Sequence, residues 1–514
     1  MNKFLKIIGA VAVINIVARV FGFFREAVIG YQYGSTQIAD SIFLAYTVPN
    51  FLYLVVGGAF TTAVISIYNR KTVDRALFVK QSFTIVVLSG VIMTVIMLAL
   101  TTPILNLLDK EGSTRTTEDF ELMKDLFYWM MPSSILLMLA SWYSGLLNVN
   151  SKFHLSSFAI LFYNIFFLVI GVGLSSIEAI GPLAYGISAL FSAVLMIYFL
   201  IRGYRQLNSY PVGLSLAQNQ STRDLWIMVF PLMIGGGTIQ IYAMLQRVFV
   251  EVFALGEGAV SAINYASRLT QFPQSILITA VTTVIYPILS RKEAEDDHES
   301  IKGLYSKGLH YLLLLLGPVT IFTYFYAENL VQIVFEYGNF TAEDTAITAP
   351  VVAIFALSMF FLAVNMYVTR FYYAKGDSMA PVVLSIFNVF IVNIGIMYVM
   401  AENGYGVDSI AWGTVISSII NTAMLVVYAA FKYDLKLGAS LNKIELLKPV
   451  IPFIVLTCIM YISSEYFAFG YKWITFIVGT TIFGVSTIVL YVMFQIKEIE
   501  HFYTKLKSKI IKPH

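Results

Sequence analysis

The chain has 514 residues, 58% of them hydrophobic and 12% charged, with a mean hydropathy of +0.78. Those values exclude a soluble globular protein and indicate a polytopic membrane protein. A net charge of +3, without a basic run interleaved with aromatics, leaves no footprint for nucleic acid, and one cysteine, Cys458, allows no disulfide framework or cysteine metal cluster within the chain.

In chain order, the first apolar run follows MNKFLK. It is too long for a secretion-signal core and lacks a small-x-small cleavage site, so it reads as a retained first span. Segments of about 20 apolar residues, enough to cross a ~30 Å hydrocarbon core as helices, then recur throughout. They cover 5–27, 38–68, 79–108, 122–148, 154–175, 180–202, 224–250, 258–289, 309–335, 345–373, 380–401, 407–431, 447–467 and 472–496. Lipid satisfies no backbone hydrogen bonds, so each must be helical. The expectation is an all-α polytopic membrane protein with fourteen transmembrane helices.

Alternate loops carry Arg70, Lys71, Arg75 and Lys80; Lys152; Arg202, Arg205 and Arg223; Arg291, Lys292, Lys302 and Lys307; Lys375; and Lys432, Lys436, Lys443 and Lys448. The opposite loops are poor in Lys and Arg or acidic, as at Asp109, Glu111, Glu118, Asp119 and Glu121. The positive-inside rule then places both termini in the cytoplasm. A repeat is also visible: FTTAVISIYNRK (60–71) aligns on VTTVIYPILSRK (281–292), and NSKFHLSSFAILFYNIFFLVIG (150–171) aligns on AKGDSMAPVVLSIFNVFIVNIG (374–395), placing Asn164 over Asn388. The nearly equal offsets, 221 and 224, indicate two parallel copies of six spans. The chain thus divides into an N-lobe (1–205), a cytoplasmic linker (206–223), a C-lobe (224–435), two additional helices (436–496) and a basic cytoplasmic tail (497–514).

A charged side chain near the bilayer centre costs about 2.5–3.5 kcal/mol on insertion scales, so one that persists faces a wet cavity or a partner. Arg19 lies ~21 Å along the first helix, past the midplane, and Arg268 lies ~15 Å into a span entering from outside. Arg25 stands near the external end beside Glu26, Arg247 near the external end of span 7, and Asp40 opens span 2. Snorkelling is the alternative for Arg25 and Arg247, and an internal ion pair with Asp40 or Glu26 is the alternative for Arg19 and Arg268. Carboxylates are too few to neutralise all four arginines, which favours an anion-attracting central cavity between two pseudo-symmetric lobes. Gly22, Gly30 and Gly34 follow Arg19, and Pro49, Gly57 and Gly58 interrupt span 2, which permits bending near these charges.

No GxxxxGK[ST] loop, HExxH or Cys/His metal spacing occurs. His154, His298, His310, His501 and His514 are scattered as solvated or interfacial histidines would be. The expectation is a transporter of an anionic substrate, not an enzyme, with no catalytic residues, metal or cofactor. Coupling to an ion or to the membrane potential stays open.

ARVFGFFREAVIGYQYGSTQIADSIFLAYTVPNFL (18–52) resembles the N-terminal signature of the MurJ (MviN) lipid II flippases, within the multidrug/oligosaccharidyl-lipid/polysaccharide exporter superfamily. LLNVNSKFHLSSFAILFYNI, EGAVSAINYASRLTQFPQSI, FEYGNFTAEDTAITAPVVAIFALSMF and RFYYAKGDSMAPV continue the likeness, from about residue 8 to 430. The resemblance implies two six-helix lobes around a central cavity, with two extra C-terminal helices forming a groove for a lipid tail. It implies translocation of lipid II, the undecaprenyl-diphosphate peptidoglycan precursor, from the inner to the outer leaflet of the bacterial cytoplasmic membrane by alternating access. Arg19, Arg25 and Arg268 would bind the diphosphate, since a guanidinium fork pairs bidentately with its oxygens. Glu26, Asp40, Asn50, Asn164, Arg247 and Arg370 would support the cavity or its gate. Membrane lipids and the cell-wall synthesis machinery are the further partners implied. Two departures stand out: PNFLYLVVGGAF in span 2 is one residue shorter than the family pattern and lacks its charges, and Gln246 replaces an often acidic position linked to sodium. Flippases for other undecaprenyl-linked polysaccharide units, and a multidrug/cation antiporter, are the competing readings.

Overall fold

The computed structural model describes residues 3–496 apart from 71, 109–115, 208, 376, 378, 437–444 and 446. The basic tail 497–514 and the loop charges Lys71, Asp109, Glu111 and Lys443 lie outside the described residues.

Helices begin where polar loops meet apolar runs, and local side chains cap several of them. The Asp74 side chain accepts from the amides of Ala76 and Leu77 at the start of one helix, and Thr116 accepts from the amide of Asp119 at another. Asp297 caps through Ser300, and Thr341 forms a reciprocal capping box with Asp344. Each supplies a partner to amides that the first turn leaves unpaired.

In chain order the helices are α1 (Lys3–Tyr33), α2 (Gln37–Phe51), α3 (Gly58–Tyr68), α4 (Arg75–Ala99), α5 (Thr101–Leu108), α6 (Thr117–Val149), α7 (Phe153–Ser175), α8 (Ala184–Arg205) and α9 (Gln220–Val252). Then follow α10 (Ala259–Ala294), α11 (His298–Phe325), α12 (Ala327–Val334), α13 (Ala342–Ala374), α14 (Met379–Phe387), α15 (Ile394–Glu402), α16 (Asp408–Tyr433), α17 (Val450–Tyr466) and α18 (Lys472–Met493). Every apolar segment read from the sequence overlaps one or two of these, and no strand occurs among the described residues. Ten helices or joined helices are long and apolar enough to cross a membrane among the described residues. Outward faces of α4 (Leu88, Ile92, Val95, Ile96) and α18 (Ile477, Val485, Ile488, Val489) are exposed and predominantly apolar, as lipid-facing surfaces are. The chain is a multi-pass, all-helical membrane protein.

It forms two compact units, Met1–Asn264 with Gly338–Phe340, and Tyr265–Tyr337 with Thr341–His514. In the first, α6 is central and packs on α2, α3, α4 and α8, while α7 joins α8 to α1. In the second, α13 packs on α16, α11 and α12, and α15 on α16. There α17 and α18 pack together, α17 on α11 and α18 on α12, around Phe322, Tyr326, Leu456, Met460 and Leu490. Two spans contain a π-helical turn, Leu52–Gly57 between α2 and α3 and Asn388–Asn393 between α14 and α15. The first follows Pro49, and at Gly57 a Cβ would approach within 2.7 Å of the Ser141 hydroxyl on α6. That glycine therefore sets the close approach of the widened turn. Such turns are frequent at functional sites.

Candidate functional site

The polar side chains of the first unit concentrate where α1 ends, α2 begins and α10 begins. Arg25 is only 8% exposed and donates from Nη2 to Glu26 Oε1 at 2.7 Å. Its guanidinium lies 4.9 Å from the ring centroid of Phe167 and 5.4 Å from that of Tyr46, whose hydroxyl is 3.3 Å from that of Tyr163. Cation–π contact of this kind favours a desolvated guanidinium. Glu26 in turn accepts from Asn264 Nδ2 at 2.9 Å through its second oxygen. One turn earlier on α10, Ser261 donates both its amide (2.7 Å) and its hydroxyl to Asp40 Oδ1, which is buried. Asp40 thus caps the first turn of α10 from α2, and its negative charge suits a helix N-terminus. Ser261 and Asn264, three residues apart, share one helix face and join the two carboxylates into one network.

Backbone contacts complete this region. Gly258 adopts φ +73° against the Ser35 carbonyl, a conformation and an approach that exclude a side chain. The Gln37 amide donates to Glu257 at 3.4 Å. Asn339 donates its amide to the Tyr31 carbonyl at 2.8 Å and its Nδ2 to the Gln32 carbonyl at 2.6 Å.

The remaining sequence-derived candidates distribute differently. Arg19, ~9 Å before Arg25 along α1, is exposed and makes no ion pair or hydrogen bond among the described residues. Asn164 Nδ2 donates to the Ala18 carbonyl at 3.0 Å and rests near Gly22, so it ties α7 to α1. Arg247 Nη1 donates to the Phe43 carbonyl at 3.0 Å. Asn50 is half-buried just before the π turn. Arg268 on α10 and Arg370 on α13 belong to the second unit, where both are exposed. Gln246 Nε2 bonds the Tyr242 hydroxyl at 2.7 Å. Among the described residues no three His, Cys, Asp or Glu side chains gather as a metal set.

The sequence reading passed over Asn264, Ser261, Tyr46 and Phe167. Asn264 carried a signal, a polar residue one turn before Arg268 in an apolar run. The two rings carried none, because aromatics fill every span of this chain.

Taken together, the geometry is a buried cation held by a carboxylate and two rings, with a second, bare cation below it on the same helix. A family model described as "Lipid II flippase MurJ" matches residues 29–482, a stretch that begins after Arg19, Arg25 and Glu26. The probable lipid II flippase MurJ of Rickettsia prowazekii (strain Madrid E) is 27% identical over 492 residues, covering 92% of this chain and 95% of its own. The lipid II flippase MurJ of Burkholderia cenocepacia is 25% identical over 396 residues, covering 75% and 76%. The solved structure of a lipid II flippase MurJ in an inward closed conformation superposes with a TM-score of 0.78 at 20% identity, covering 94% of this chain and 98% of its own. An inward-facing multidrug transporter of the MATE family superposes with a TM-score of 0.69 at 14% identity, covering 84% and 96%. At those identities the superpositions speak for the fold, while the family model spans most of the sequence: the chain belongs to the MurJ lipid II flippase family.

Proposed function

We propose that this protein translocates lipid II between the leaflets of a bacterial cytoplasmic membrane by alternating access. The observation that carries the reading is family membership over residues 29–482. The proposal includes fourteen crossings, both termini in the cytoplasm, two six-helix lobes, and α17 and α18 as the site of the prenyl tail. The similar packing order in the two units, with α4, α6, α7 and α8 matched by α11, α13, α15 and α16, supports the lobe layout.

Arg19, Arg25 and Arg268 would engage the diphosphate. Arg19 is suited to it by its exposed guanidinium, which can turn two parallel N–H groups to phosphate oxygens. Arg25 is already held by Glu26, so engaging the diphosphate would mean exchanging that ion pair for phosphate oxygens. Return of the empty, cationic carrier is favoured by an inside-negative potential, worth about 2.3 kcal/mol per charge per 100 mV. A second reading, export of another undecaprenyl-linked polysaccharide unit, is favoured by the uncharged turn Leu52–Gly57, where the family pattern has charges. A drug/cation antiporter is disfavoured, since the deep charges are chiefly arginines.

Depletion of the protein, followed by measurement of which lipid-linked precursor accumulates and in which leaflet, tests the proposal. Accumulation of lipid II in the inner leaflet is expected. Normal lipid II distribution with another undecaprenyl-linked glycan accumulating would select the second reading.

A further inference from the structure

The segment joining α8 to α9 reads as a polar linker, yet it lies in extended form along a membrane helix. Gln81 and Thr84 of α4 are buried, on a helix whose outward side is Leu, Val and Ile. Their partners explain them. Gln81 Nε2 donates to the Ala217 carbonyl at 2.7 Å, and the Ser215 amide donates to Thr84 Oγ1 at 2.8 Å. At the near end, the Tyr204 hydroxyl donates to the Tyr210 carbonyl at 2.9 Å. At the far end, Asn219 Oδ1 accepts from the Thr222 amide at 3.1 Å and opens α9.

These bonds place the segment at a definite depth. Gln81 and Thr84 lie two and five residues into the span that begins at residue 79, ~3 and ~8 Å along it at 1.5 Å per residue, where headgroups give way to acyl chains. The polar headgroup layer is only about 5–8 Å thick on each side. Backbone lying deeper than that must be satisfied by protein, because hydrocarbon offers no partners. The two polar side chains of α4 do this for an amide and a carbonyl of the segment.

The other side of the segment points away from the protein. Leu214 and Leu216 are 73% and 80% exposed and alternate with the inward-bonded Ser215, the period of an extended chain. On α4, the helix that holds the segment, Leu88, Val91 and Ile92 are exposed and apolar as well. The Arg75 guanidinium lies over the Tyr68 ring, which meets the Tyr210 ring of the segment, and the Lys80 stem lies 3.9 Å from a Cβ built on Gly213. Cations beside apolar tips match an anionic leaflet with its acyl chains beneath.

We infer that residues 209–219 are an interfacial strap that inserts Leu214 and Leu216 into the acyl region of the adjoining leaflet, hung from Gln81 and Thr84. The inference does not depend on which lipid the protein carries. The strap would hold the connection between α8 and α9 at a fixed depth.

Cys458 is the sole cysteine, so the full-length C458S protein supports single labels. L214C and L216C carrying bimane are reconstituted in phosphatidylethanolamine–phosphatidylglycerol vesicles, with brominated acyl chains or with iodide as quencher. V95C, on the exposed face of α4, calibrates lipid, and E299C, on an exposed loop-proximal turn, calibrates water. Both strap labels are expected to be quenched by brominated lipid as V95C is, and several-fold less by iodide than E299C. Iodide quenching equal to E299C, or protection from both quenchers, overturns the insertion. In Q81L and T84V backgrounds the strap labels should gain iodide access several-fold while V95C stays unchanged. If neither background moves them, the strap is not hung from these residues.

Discussion

At the C-terminal end of α1 the Arg25 guanidinium is buried, bonded to Glu26 at 2.7 Å and packed against Phe167 and Tyr46. About 9 Å earlier on the same helix, Arg19 is exposed and has no ion pair or hydrogen bond among the described residues. One sequence stretch, ARVFGFFREAVIG, therefore holds two cations of opposite economy. The first has exchanged hydration for protein partners that Asn264 extends toward α10. The second has no protein partner for its donors among the described residues. On the proposed function, that difference separates charge that shapes the fold from charge available to a ligand.

The comparison breaks most directly at Glu26. Glu26→Ala leaves Arg25 buried without its anion, and removing one partner of a buried pair typically costs about 3–5 kcal/mol. A large fall in thermal stability in detergent is expected, and a stability within error of wild type would mean that Arg25 is not held by this pair. Next comes Ser261, which donates its amide and hydroxyl to Asp40. Ser261→Ala retains the amide bond and loses a hydrogen bond to a charged group, worth about 1.5–3 kcal/mol. It should lower stability by less than Glu26→Ala in the same assay. Arg19→Ala is the contrasting case: transport should fall tenfold or more, about 1.4 kcal/mol per decade, while the melting temperature holds. Arg19→Lys should recover part of the activity, since it keeps charge but not the bidentate fork. A leaflet-accessibility assay with full activity in Arg19→Ala would remove Arg19 from the binding machinery.

Much of the fold was legible from apolar run length, since each segment of about 20 residues meets a helix. The breaks were less so: α11 gives way to α12 at Tyr326 without a proline or glycine there, whereas α4 gives way to α5 at Leu100 just ahead of Pro103, which cannot donate to the Ala99 carbonyl. Of the site, position along α1 was readable as depth, but depth does not say which way a side chain faces. Arg25 reads as able to snorkel, yet Glu26 and the rings on α2 and α7 enclose it, and Asn264, which holds Glu26 in turn, stands 238 residues from it. The linker was misleading for the same reason. SYPVGLSLAQNQ has the composition of a solvated connection, and its course is decided by Gln81 and Thr84, more than 130 residues earlier.

The smallest effect lies in the second unit, where a surface cluster calibrates how little an exposed pair weighs against the buried Arg25–Glu26 pair. Asp377, in the turn between α13 and α14, accepts from Lys432 Nζ at 2.7 Å, the Tyr433 hydroxyl at 2.6 Å and the Ala380 amide at 3.0 Å. Those bonds, Lys432 foremost, lower its carboxyl from the usual 3.8 to about 2. Because the folded value is the lower one, the stabilisation is complete above the unfolded value and is lost as pH falls from about 4 through about 2. Solvent screening keeps it small, as for most exposed pairs. Asp377→Asn should therefore change stability slightly at neutral pH and flatten the acid limb of the stability–pH curve over that window. Glu26→Ala should instead lower the curve across neutral pH, because Arg25 is left buried without its anion. If the two variants shifted the curve alike, burial would not be what distinguishes the cation at Arg25 from one at the surface.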